Sequence, residues 1–207
     1  MKRTASKAKI KLFHSKDFDK SYFNGGNYEH YEEIASVWTG RVARRIKKTF
    51  PPDYSPKVLD VGCAQGYLLS KMCELGCEAS GLEYSDYAIK NALPSMKKYI
   101  RKGSILEAKY KRGEFDAVVC FNVLEYMPEA KVEKALSNLV LWAKQYIFFT
   151  TCFTHSLYST QKHSPDNLRI TVKTEKEWEK LFKNLGAAFA GKFYDGGGGD
   201  VLVFRKK

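Results

Sequence analysis

Val58-Leu59-Asp60-Val61-Gly62-Cys63-Ala64-Gln65-Gly66 reads as the end of a buried strand, with an acid in it, running into a glycine loop that opens a helix. Lys57 to Val61 is short and mostly apolar, and Tyr67 to Leu75 has helical spacing that Gly76 ends. Gly62 permits a tight turn and close backbone approach, and Gly66 lets the following helix pack and present its free N–H groups. Such a unit opens an α/β sheet whose ligands sit beyond the carboxyl ends of the strands.

The alternation continues outward. Glu78 to Glu83 is a second strand, Ser85-Asp86 caps a helix running toward Leu93, and Ser104 to Leu106 is a short third strand. Phe115 to Phe121 has no polar face around Ala117 to Cys120, as expected of a buried parallel strand. Pro128-Glu129 opens a helix carrying Val132, Leu136, Leu139 and Val140 on one side, and Gln145 to Thr150 is the next strand. Thr174 to Leu185 is a helix with capping-box spacing at Thr174 and Glu177 and a stripe of Trp178, Leu181, Phe182 and Leu185. Ala187 to Tyr194 and Val201 to Phe204 lack an intervening helix and therefore form a hairpin. The pattern predicts an α/β three-layer sandwich: a doubly wound, mostly parallel seven-stranded sheet with a C-terminal antiparallel hairpin.

Upstream, Tyr31, Ile34, Ala35, Trp38, Val42 and Ile46 recur at helical steps from Tyr28 until Pro51 and Pro52. The expected organisation is a flexible basic arm over residues 1–20 and a single domain over 21–207, divided into an N-terminal lid and helix (21–52) and a core (53–207). At 207 residues and 44% hydrophobic content the chain suits one globular domain, and no apolar run is long enough to cross a bilayer. With no secretory signal in view, a cytoplasmic, reducing compartment is expected. The five cysteines form no spaced framework, so they read as reduced core thiols. Cys73 and Cys77 lack the second ligand pair that zinc needs, and no metal is expected. A net charge of +12 raises the prospect of an acidic partner such as nucleic acid, with lysines and arginines concentrated in residues 1–16 and 97–112.

The loop spacing argues against a dinucleotide cofactor. A dinucleotide loop reads G-x-G-x-x-G, whereas here three residues separate Gly62 from Gly66, and Glu83 ends the second strand about twenty residues on. With Leu59 to Tyr67, Gly81-Leu82-Glu83-Tyr84-Ser85 and Phe115 to Tyr126, the chain resembles the class I S-adenosylmethionine-dependent methyltransferases over residues 22 to 206. The resemblance implies S-adenosyl-L-methionine as cofactor and S-adenosyl-L-homocysteine as product. It implies Asp60, Gly62 and Gly66 at the methionine end, Glu83 on the ribose, Ser104 and Ile105 beside the adenine, and Phe121 and Asn122 closing the pocket. Cys63 and Tyr84 complete the expected cofactor-binding set. The chain departs from the family at Ser104, where Asp is frequent, and at Tyr126, where His is frequent.

Methyl transfer demands alignment rather than a particular catalytic side chain. Glu125, Tyr126 and His155 are the candidates for proton handling. Thr151 to Ile170, with His155, His163 and Arg169, reads as a substrate loop, and Tyr22, Phe23 and Tyr28 as a lid. The expected acceptor is a small molecule or glycan. The alternatives are RNA or DNA methylation using the basic arm, and a non-catalytic scaffold, which would have no use for the cofactor residues.

Overall fold

A strand inside a sheet covered on both faces must shed its polar side chains, and β4 (Phe115–Phe121) is buried at every position. In the computed structural model, which describes residues 13–24, 31–153, 168–196 and 199–207, β4 sits at the sheet's centre. One flank carries parallel β1 (Lys57–Val61), β2 (Glu78–Glu83) and β3 (Ile100–Lys102). The other carries parallel β5 (Ala143–Thr150), then antiparallel β7 (Asp200–Lys206), with β6 (Ala187–Tyr194) at the edge. The order is β3-β2-β1-β4-β5-β7-β6. Its direction of winding changes between β1 and β4, which opens a crevice at their carboxyl ends.

Alternation along the strands divides the core in two. Leu59, Val118, Ile147, Phe149, Leu202 and Phe204 face helices α5 (Glu129–Trp142) and α6 (Glu175–Asn184). Val58, Ala117, Val119, Phe148 and Val201 face α2 (Tyr31–Lys47) and α3 (Tyr67–Glu74). Short helices α1 (Lys20–Asn24) and α4 (Asp86–Lys90) lie near the strand ends. This is the expected three-layer sandwich, and the cap predicted for α6 forms: Thr174 accepts from the Glu177 N–H while the Glu177 carboxylate accepts from Thr174.

Several boundaries differ. The third strand is Ile100–Lys102, not Ser104 to Leu106. The Ser104 carbonyl accepts from Glu107 and Ala108, and its hydroxyl accepts from the Leu106 N–H, which bends this segment into a turn. The true strand was obscured because it is an edge strand whose Arg101 and Lys102 are exposed. Helix α4 stops at Lys90, with Asn91 closing its last turn ahead of Pro94. Helix α2 is assigned from Tyr31, and β5 follows α5 directly at Ala143.

The expected arm is not uniform. Residues 1–12 lie outside the described residues, as do Tyr28, His155, His163 and residues 197–198 of the hairpin turn. Ser15–Asp17, however, forms a 3-10 turn, and the Ser15 hydroxyl bonds Asp86 at 2.8 Å. Farther along, Ser85 Oγ donates to the Phe18 carbonyl at 2.5 Å. Residues 13–20 therefore pack on the domain over the crevice.

Phe182 carries much of the α6 contact: it is fully buried and stacks on Phe204 with centroids 4.0 Å apart. Phe182→Ala is expected to lower stability by about 3–5 kcal/mol in urea unfolding. A loss below about 1 kcal/mol would contradict this packing.

Candidate functional site

The turn after β1 is built so that Val123 packs directly against its backbone. Gly62 has φ of +77°, and a β carbon there would lie 2.3 Å from Val123 Cγ2. Its N–H donates to the Leu82 carbonyl at 2.7 Å, which ties the loop to β2. Gly66, at φ +84°, is the N-cap of α3, a conformation that a residue with a side chain adopts reluctantly. Between them Ala64 also takes a positive φ, 48°, and its N–H donates to Glu83 Oε2 at 2.8 Å.

Glu83 also accepts from the N–H groups of Tyr84 at 2.7 Å and Ser85 at 2.6 Å. One carboxylate thus fixes both its own strand end and the neighbouring loop. Burial pushes its pKa above the usual carboxylate range, while the three N–H groups act in the opposite direction. Asp60, buried at the end of β1, is raised to about 7, first by burial and then by the charge of Glu83. The Cys63 thiol is pushed well above its ordinary value, mainly by burial, which disfavours the thiolate.

These groups border a cavity of about 840 Å³. Asp60, Gly62, Cys63, Glu83, Tyr84, Ser104, Ile105, Phe121 and Asn122 all line it, whereas Gly66 stands behind the wall as the helix cap. Asn122 turns the chain away from β4 at φ 52°, with its N–H on the Thr150 carbonyl at 2.9 Å. Of the three proton-handling candidates, Tyr126 lines the cavity, and His155 falls outside the described residues. Glu125 is not among the lining residues: its side chain is fully buried, accepts from Thr151 Oγ1 at 2.7 Å and lies 4.0 Å from Arg169 Nε. Arg169 lines the cavity, so Glu125 stands behind the guanidinium and not at the cavity itself.

The lid expected at Tyr22 and Phe23 lines the cavity, and it extends to Phe13 and Phe18, which fall in the segment expected as an arm. Phe13 and Phe18 line the cavity beside Tyr22, and the Phe18 ring meets Tyr22 and Tyr126 edge-on at 5.2 and 5.5 Å. The Tyr22 hydroxyl donates to that of Tyr126 at 2.9 Å. Phe13, Phe18, Tyr22 and Phe23 were the available signal, four aromatics in eleven residues of an otherwise polar segment. Trp38 and Lys131 are further lining residues that no motif marked. Among the described residues no group of three or more His, Cys, Asp or Glu side chains could hold a metal, and no helix is long and apolar enough to cross a membrane.

A family model described as a methyltransferase domain matches residues 28–190. A ubiquinone biosynthesis O-methyltransferase of Shewanella pealeana is 30% identical over 147 residues, 68% of this chain and 57% of the relative. Its counterpart in Thiobacillus denitrificans is 36% identical over 110 residues, 50% of this chain and 47% of the relative. The chain thus spans about half the length of the curated relatives it matches. Among solved structures, a magnesium protoporphyrin IX methyltransferase of Synechocystis with bound SAH superposes with a TM-score of 0.72 at 15% identity, covering 93% of this chain and 98% of that one. A SAM-dependent methyltransferase of Archaeoglobus fulgidus gives a TM-score of 0.66 at 16% identity, covering 86% and 100%. These superpositions establish the fold.

The Asp60 carboxyl makes a prediction independent of any ligand. The folded chain holds its proton up to about pH 7, against an ordinary value of 3.8. Its stabilising contribution is therefore complete below the unfolded pKa and is lost as pH rises to about 7, by up to about 1.4 kcal/mol per pH unit. Asp60→Asn, which cannot ionise, should gain on the wild type between pH 5 and pH 7.5 in paired urea titrations. Parallel pH profiles for the two proteins would contradict the assignment.

Proposed function

Since the chain belongs to the S-adenosylmethionine-dependent methyltransferase family, we propose that it transfers a methyl group from S-adenosyl-L-methionine to a small acceptor bound in the covered cavity. The observation that carries this reading is the pair of buried carboxylates, Asp60 and Glu83, at adjacent strand ends around a turn where a β carbon at Gly62 would strike Val123. A backbone surface open to a ligand, with carboxylates beside it, suits a molecule bearing ribose hydroxyls and a cationic amino acid end.

The residues divide the work by position. Glu83 takes the ribose hydroxyls, with Tyr84 beside it. Asp60 and the Gly62-Cys63 backbone hold the methionine end, Gly66 shapes the loop, Ser104 and Ile105 border the adenine, and Phe121 and Asn122 close the remaining wall. When bound, the cofactor supplies a methyl group already activated on a sulfonium. What the chain must add is alignment and exclusion of water. Phe13, Phe18 and Tyr22 cover the cavity, which favours a compact acceptor over a polymer threaded through it. The names of the relatives, O-methyltransferases of ubiquinone biosynthesis, favour a hydroxyl acceptor. The Tyr22 and Tyr126 hydroxyl pair is placed to orient that group, and Glu125 positions Arg169 rather than touching the acceptor. Five free cysteines suit a reducing, cytoplasmic compartment.

The test is transfer of labelled methyl from S-adenosylmethionine to cell-extract fractions, with and without nuclease. Label in low-mass, nuclease-resistant products is expected. Label confined to nuclease-sensitive material would overturn the small-acceptor reading. Gly62→Ala should cut transfer by about a hundredfold, because its β carbon forces the cofactor loop out of place. Unchanged transfer in this variant would contradict the role given to the turn.

A further inference from the structure

The sheet is covered unevenly. On one face α5 and α6 cover β4, β5, β7 and part of β6. On the other, α2 and α3 bury Phe148 and Val201 but leave Tyr146, Phe193, Val203 and Arg205 bordering a groove of about 520 Å³ against the C-terminal end of α2. It shares no lining residue with the cavity described above.

Strand register dictates what this groove displays. Tyr146 on β5 lies directly opposite Arg205 on β7, and Val203 is two residues away on the same face. Phe193 of β6 joins that face, and the register shift between Phe189 and Gly191 loosens the edge beside it. The floor is aromatic: Tyr146 meets Phe50 edge-on at 5.5 Å, and Phe193 lies 6.4 Å from Phe148. The rim is cationic. Arg45 stands in the last turn of α2 and Lys48 just after it, while Arg205 and Lys192 stand on the strands. Lys192 is neutralised by Glu175 and Asp200. Arg45, Lys48 and Arg205 are exposed and have no carboxylate within ion-pair distance among the described residues. Residues 34–52 hold five arginines and lysines and no acid.

We propose that this groove docks a single-stranded nucleic acid segment. Unpaired cations on the helix side and the strand side of the groove suit a phosphodiester backbone, and half-buried aromatic rings on its floor suit unstacked bases. A rigid duplex would gain the phosphate contacts but could not offer its base faces to Tyr146 and Phe193. The groove begins close to the cavity along the same helix, since Arg45 follows the lining residue Thr39 by six residues, about 9 Å of helix axis. Docking here does not depend on the methyl-transfer reading, because none of these residues belongs to the cavity.

Fluorescence anisotropy with a labelled single strand of about 12 nucleotides, at about 100 mM salt, tests this. Arg45→Glu with Arg205→Glu should weaken binding about tenfold or more and flatten its salt dependence. Lys97→Glu with Lys98→Glu, the same charge change elsewhere, should have little effect. Phe193→Leu should weaken the single strand about fivefold and leave a duplex of equal length unaffected. Thermal melting of each variant confirms folding. Equal losses in both charge variants, equal binding of duplex and single strand, or binding only to phosphatidylglycerol vesicles would each overturn the proposal.

Discussion

The carboxylate of Glu83 is the constraint on which the site depends. It accepts from Ala64, Tyr84 and Ser85 at once, and so fixes the end of β2 and the loop after β1 in one arrangement. Ala64 holds a positive φ that a residue with a β carbon adopts rarely, and the bond to Glu83 offsets part of that strain. Together with the Gly62 N–H on the Leu82 carbonyl, it holds the turn and the adjacent wall of the cavity in shape.

A second consequence is electrostatic. Placing Asp60 beside Glu83 in a buried crevice leaves Asp60 with a pKa near neutrality. The pair is poised for a cationic ligand, because a positive charge between the two acids restores ionisation that burial suppresses. The aromatic cover of Phe13, Phe18 and Tyr22 lines the same cavity as the acids. It is anchored to distant parts of the chain, through Ser15 on Asp86, Ser85 on Phe18, and Tyr22 on Tyr126.

Much of this was legible in the sequence because it rests on short-range chemistry. The glycine spacing, the buried run of β4, the capping box at Thr174 and the helix-free connection before β7 each specify one local structure, and together they specify the sheet. The third strand was misplaced because Ile100–Lys102 gains its identity from pairing with β2, while its own composition looks like a solvated charge run. Glu125 was marked by adjacency to Tyr126 in the chain, yet the 3-10 turn at Leu124–Tyr126 sends the two side chains to different environments. The seat of Phe18 depends on Ser85 and Tyr126, more than sixty residues away, which no local pattern encodes. The groove beside α2 was equally hidden, since it arises from where helices are missing.

The central claim is that the crevice ending in Asp60 and Glu83 is an S-adenosylmethionine site, and equilibrium calorimetry tests it most directly. Titration of the purified chain with S-adenosylmethionine should give saturable one-to-one binding that Glu83→Ala abolishes while the variant still unfolds cooperatively. No binding by the wild-type chain, or equal binding by a folded Glu83→Ala protein, would contradict it.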